Sequence, residues 1–134
     1  MTPHMLSALP NFLSYFATAI ALLFAFLLIY ITVTPYDEIT LVNEGNVAAA
    51  ISLAGAMLGF TLPIANVIAH SDTLAELAAW SVVAGAIQLL VHLIARFAFP
   101  KLAEHILHGK IAPAIFIAAS AFVVGILNAA CMTY

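Results

Sequence analysis

Charge is what this sequence lacks. Of its 134 residues only nine are Asp, Glu, Lys or Arg, while hydrophobic residues make up 66%. A water-soluble domain of this length needs far more polar surface than nine charged side chains supply. A mean hydropathy of +1.18 points the same way and excludes the soluble globular class. Basic residues number three and the net charge is −3, so nothing implies a nucleic-acid partner. Cysteine is down to Cys131 alone, which excludes an internal disulfide. There is no Gly-rich phosphate loop, and no Ser or Cys sits in a recognisable nucleophile arrangement. No catalytic residue and no cofactor is therefore expected, and the chain is not expected to be an enzyme.

What is present is uncharged sequence in four blocks, at 1–36, 45–71, 77–95 and 111–134. A helix crosses a bilayer core in about 20 apolar residues. Each block suffices for one crossing and none is comfortable as two. Spans are expected near 11–33, 46–69, 74–99 and 111–132. The first block has no Lys or Arg, and its apolar core outruns a signal peptide's, so it is expected to be a retained span. The fold class is an all-α membrane protein, one domain over 1–134 whose solvent is the lipid bilayer.

The four spans read as two copies of one hairpin, at about 11–69 and 74–132. The loop Pro35–Gly45 and the loop Pro100–Gly109 both open on Pro after a span and close on Gly before the next. Pro favours a first helical position and Gly the position past a helix end. Each loop is thus expected to hold a short interfacial helix, the first capped by Thr34, with Ile39 and Val42 or Ile106 and Leu107 toward the acyl boundary. Beyond the glycines, Gly45, Ala48, Ala50, Ile51 and Ala54 recur as Gly109, Ala112, Ala114, Ile115 and Ala118. Two like-oriented hairpins are related by an axis along the membrane normal. Thr73 and Glu76 form a capping-box pattern at the start of the third span. Arg96, Lys101 and Lys110 all flank the second long loop, so the positive-inside rule puts that side in the cytoplasm and both termini outside.

Small residues mark the packing surfaces. Gly55 and Gly59 on the second span, and Ala121, Gly125 and Ala129 on the fourth, allow close backbone approach in lipid. These two spans are expected at the centre with the first outside. Pro63 interrupts the second span's hydrogen bonding. Asn66 and Asn128 are expected to bond between helices. Four short spans leave a modest internal interface, so a homo-oligomer is expected.

Polar residues at membrane depth are costly and are candidates for function. Gln88, His92 and Arg96, four apart, form one stripe on the third span. One reading is a polar path with His92 as the titrating group. The other is structural: Arg96 snorkels to headgroups, His92 bonds a carbonyl and Gln88 ties helices together. Glu104, His105 and His108 fall short of a defined metal site.

Several strings taken together resemble a bacterial inner-membrane family, domain of unknown function 350, the YjfL-like proteins. They are Thr34-Pro-Tyr-Asp-Glu38, Gly45-Asn46 with its Ala-rich run, Gly59-Phe60 before Pro63, Trp80, Gln88-Leu-Leu90 and Asn128-Ala-Ala-Cys-Met-Thr133. The resemblance covers nearly the whole chain. It implies four spans in two repeats and no particular activity. It also implies a setting near membrane-stress proteins, because some members are encoded beside phage-shock-type proteins. Two roles follow. One is a non-enzymatic scaffold or accessory subunit linked to envelope stress, engaging a peripheral cytoplasmic protein through the acidic loop of Asp37, Glu38 and Glu44. The alternative is a small oligomeric channel or transporter for protons or small cations, built on Gln88, His92 and Arg96.

Overall fold

The computed structural model of the chain describes residues 3–132. In order these form α1 (Pro3–Val33), α2 (Glu38–Asn43), α3 (Val47–His70), α4 (Leu74–Ala98), α5 (Leu102–Leu107) and α6 (Ile111–Cys131). Four helices, over Met5–Val33, Val47–His70, Leu74–Ala98 and Ile111–Cys131, are long and apolar enough to cross a membrane.

Helix α1 begins well before the expected residue 11, and Pro10 lies inside it. Proline removes one amide donor and so orphans one carbonyl, that of Leu6. That loss is confined to the outer turns, and the uncharged run continues helical on both sides of it. At 31 residues α1 is about 46 Å long, well beyond the roughly 30 Å hydrocarbon core.

The side-chain bonds fix the helix directions. Phe26 stacks on Phe60 at 4.1 Å and the Tyr30 hydroxyl meets that of Ser52 at 3.3 Å, so α1 and α3 are antiparallel. Gln88 Nε2 donates to the Ala121 carbonyl at 3.3 Å and Asn128 Nδ2 to that of Ala84 at 3.2 Å, so α4 and α6 are antiparallel. Helices α3 and α6 run parallel, because Gly55 abuts Ala118, Gly59 abuts Ala121, and Asn66 Nδ2 donates to the Ala129 carbonyl at 2.8 Å. Asn66 and Asn128 therefore reach different helices and do not bond to one another.

The α3–α6 contact is the most extensive in the molecule. A Cβ on Gly55, Gly59 or Gly125 would collide with the facing backbone. Gly59 also loses the amide donor for its carbonyl, because that donor belongs to residue 63 and Pro63 has none. The Gly59 oxygen occupies the direction a Gly125 side chain would take. That oxygen is therefore packed directly against the Gly125 backbone. Half of the α3 span is buried, against 28% of α4, 22% of α6 and 17% of α1. Helix α3 alone is therefore central, and α6, expected beside it at the centre, faces outward almost as much as α1.

Both long loops hold a six-residue helix, and both end identically. Gly45 and Gly109 take positive φ of 86° and 74°. The amides of Gly45 and Asn46 return to the Val42 and Leu41 carbonyls, and those of Gly109 and Lys110 to Ile106 and His105. This is the pairing of a Schellman C-cap. The start differs from expectation. Thr34 does not cap α2; its hydroxyl turns back to the Tyr30 and Ile31 carbonyls. Asp37 caps it, accepting from the Thr40 amide at 3.2 Å and its hydroxyl at 2.7 Å. Asn46 caps α3 and also donates to the Ile106 carbonyl at 2.9 Å, tying α5 to α3. Thr73 caps α4 as expected, but Glu76 takes the amide of Asp72 and not that of Thr73.

Candidate functional site

The candidate site starts from the backbone between α1 and α2. Pro35 follows the end of α1, and Asp37 is extended with φ −82° and ψ 96°. In an extended segment successive side chains point to opposite sides. Tyr36 and Glu38 therefore share the inward side, with exposures of 8% and 0%, while Asp37 between them faces out. The Thr40 hydroxyl and amide hold the Asp37 carboxyl below its usual range.

Tyr36 and Glu38 enter a pocket of polar groups from three other helices, α1, α3 and α4. On α4, Arg96 turns inward and does not snorkel. Its Nε donates to His92 Nε2 at 2.8 Å and one Nη to the Tyr36 hydroxyl at 2.9 Å. The guanidinium carbon lies 5.2 Å from the centre of the Tyr36 ring, within cation–π range. A guanidinium has no lone pair to offer, so His92 Nε2 must be the acceptor and the ring carries its proton on Nδ1. The Tyr30 ring leans on His92 with centroids 4.5 Å apart, and its hydroxyl reaches Ser52. Beyond these lies a cavity of about 20 Å³ whose polar lining is Tyr30, Ser52, Gln88 and His92. That volume holds roughly one water. The Gln88 Oε1 is buried and has no hydrogen-bond partner among the described residues.

Glu38 is the anomaly. Neither carboxylate oxygen has a hydrogen-bond partner among the described residues, and one Arg96 Nη is buried in the same condition. An ionised carboxylate so enclosed costs several kcal/mol unless it is closely paired or takes a proton. Burial pushes the Glu38 carboxyl up to about 7, against the opposing pull of the Arg96 charge and the Tyr30 and Tyr36 hydroxyls. Burial likewise raises the Tyr36 phenol, against its bond to Arg96 and that residue's charge. The arrangement can gain and lose one proton near neutral pH, beside a fixed positive charge and at one end of the spans.

The acidic loop of Asp37, Glu38 and Glu44, expected to engage a partner, is divided: only two of the three carboxylates face outward. Asp37 and Glu44 are exposed, but Glu38 is turned away from them into the protein. A helix started at Pro35 would have set all three along one outer surface. The extended turn at Asp37 divides them. Arg96 bonds to His92, and His92 and Gln88 line one small cavity with Tyr30 and Ser52; Tyr30, Tyr36 and Ser52 were not singled out by sequence reasoning. The available signal was the two-residue spacing of Tyr36 and Glu38 behind a proline. Gly55, Gly59 and Gly125 lie in the α3–α6 contact, and Gly59 also borders the cluster, since a Cβ there would collide with the Gln88 amide; Asn66 and Asn128 lie farther along, bonded to α6 and α4. In α5, Glu104 and His108 are exposed, and the His108 Nδ1 sits 2.8 Å from the Glu104 carbonyl.

A family model described as Domain of Unknown Function (DUF350) matches residues 4–132. The chain is 35% identical over 131 residues to the UPF0719 inner membrane protein YjfL of Escherichia coli K12, covering 98% of this chain and 99% of that one. The YjfL of Escherichia coli O157:H7 matches to the same extent. The UPF0719 transmembrane protein YshE of Bacillus subtilis is 30% identical over 92 residues, which is 66% of each chain. No solved structure matches. A family model that runs nearly end to end, over the same four spans that carry the buried cluster, makes this chain a member of the DUF350 family.

Proposed function

We propose that the protein is a non-enzymatic, proton-linked channel or transporter of the bacterial inner membrane, acting as a homo-oligomer. The inner-membrane setting is supported by the names of its relatives. One observation carries the activity: Glu38 is fully enclosed with both oxygens unbonded, beside Arg96 and at the foot of the His92–Gln88 path. Buried ionisable groups in membrane proteins are retained where protons or ions move. Glu38 takes the proton, Arg96 sets its affinity, and His92, Tyr30 and Ser52 lead toward mid-membrane. Among the described residues a single chain encloses no open bore beyond a cavity of about 20 Å³, so the path within each protomer is completed by water or by a neighbouring copy. The α2–α5 end faces the cytoplasm and the termini face outward, as the placement of Arg96, Lys101 and Lys110 supports.

Proton flux into liposomes, read with a pH-sensitive dye, tests this. The intact protein is expected to raise flux above empty liposomes, and Glu38→Gln, which keeps shape and removes the titration, to cut it at least tenfold. Flux equal to that of empty liposomes, or unchanged in Glu38→Gln, overturns the reading. A second reading rests on the exposed Asp37 and Glu44 at the two ends of α2: a scaffold, linked to envelope stress, that engages a peripheral protein. Under that reading Glu44→Gln abolishes co-purification of the partner while flux is absent throughout.

A further inference from the structure

A groove outside the proton cluster is left unused by the proton reading. Where α4 ends and α6 begins, a groove of about 470 Å³ opens beside α5. That volume is in the range of small-molecule sites. Phe99 and Phe116 meet edge to face at 5.5 Å to form one wall, and Leu102 and Pro113 line it further. The polar members of the lining are Lys101 and His105. Of the chain's three basic side chains, Arg96 is committed to His92 and Tyr36 inside the protein. Lys101 is exposed, and its ammonium has no hydrogen bond or ion pair among the described residues. Glu104, the acid of α5, is not part of the lining.

We propose that this groove binds one anionic phospholipid, with an acyl chain between Phe99, Leu102, Pro113 and Phe116 and the headgroup phosphate on Lys101 and His105. The site lies where the apolar spans stop, at the depth where chain meets headgroup. An apolar slot with a cation at its mouth complements such a lipid in both shape and charge. A zwitterionic lipid would fill the slot but set its own ammonium against Lys101. The site goes beyond the proton reading and does not depend on it.

The test is native mass spectrometry of the detergent-solubilised full chain, offered phosphatidylglycerol and phosphatidylethanolamine of identical acyl chains. Phosphatidylglycerol is expected to be retained several-fold better, with the preference lost in Lys101→Gln and kept in Lys110→Gln, whose lysine lies outside the groove. As a second readout, Phe116→Trp is expected to be quenched by acyl-brominated phosphatidylglycerol several-fold more than by the matching phosphatidylethanolamine. Equal retention of the two lipids overturns the site. So does equal loss from the two lysine variants, which would mark diffuse surface charge.

Discussion

The two six-residue helices invite comparison because they are built alike and buried differently. Counting back from their shared Gly C-caps, Glu38 on α2 stands where Leu102 stands on α5, each facing the interior with exposures of 0% and 5%. Asp37 caps α2, whereas Lys101 at the same place on α5 makes no side-chain cap. Asn46 caps α3, whereas Lys110 makes no side-chain cap for α6. Leucine shows what this inward position needs for packing, namely apolar bulk. A carboxyl adds nothing to that packing and carries the cost of leaving water. The difference locates the chemistry: at the same end of the bundle, α5 fills its side with an apolar group and α2 fills the other with a group that titrates.

The sharpest way to break this comparison is to give α5 the residue that α2 has. Leu102→Glu would enclose a carboxylate without the inward guanidinium and tyrosine hydroxyls that surround Glu38. Unpaired buried charge is among the most destabilising of single changes, and a loss of about 3–5 kcal/mol is expected. The readout is the folded fraction after size-exclusion in detergent, with the apparent melting temperature of what survives. A variant as stable as the parent would mean that either position accepts a carboxyl freely, and the burial of Glu38 would lose its significance.

The reverse exchange, Glu38→Leu, sharpens the same point with a smaller effect and a pH signature. The Glu38 carboxyl sits at about 7 in the folded protein against an ordinary 4.5. A group raised on folding contributes its full stability below its unfolded value and loses it as pH climbs through the folded one. The parent is therefore expected to lose about 3 kcal/mol between pH 4.5 and pH 7.5 from this group. Glu38→Leu should remove that slope, melting several degrees above the parent at pH 8 and close to it at pH 5. A slope that survives the substitution assigns the titration to another residue.

How much of this was legible beforehand depends on which force acts. The spans were, because burial in lipid needs about 20 uncharged residues in a row and the composition shows four such runs. The glycine caps were too, since Gly45 and Gly109 need a positive φ. The closeness of the second and fourth spans followed from Gly55, Gly59 and Gly125, which carry nothing to hold two backbones apart. The direction of Glu38 was not legible. It turns on one residue, Asp37, leaving the helical region, and a Pro-initiated helix from residue 35 suits the same letters. Tyr30 and Ser52 were equally hidden, because one aromatic and one hydroxyl in apolar spans are ordinary packing residues until a third helix brings His92 beside them. Helix α1 starts before residue 11 because Pro10 costs it only a single hydrogen bond in an outer turn.

The smallest expected effect concerns the caps, where α3 and α6 differ as α2 and α5 do. Asn46 does two things: its Oδ1 accepts the Ala49 amide at 3.0 Å, and its Nδ2 donates to the Ile106 carbonyl at 2.9 Å. Removing an Asn cap costs about 1 kcal/mol, and the lost tie to α5 adds about the worth of one more neutral hydrogen bond, roughly 1 kcal/mol. Asn46→Ala is thus expected to cost about 2 kcal/mol, and Asn46→Asp only part of that, because aspartate keeps the cap but cannot donate to Ile106. At the matching place Lys110→Asn is expected to gain about 0.5–1 kcal/mol by supplying the cap that α6 lacks. The apparent melting temperatures of the three variants, measured at one pH in one detergent, check the ordering. If Asn46→Asp melts with the parent, Asn46 acts as a cap alone, and the tie between α3 and α5 contributes nothing to holding the two loop helices side by side.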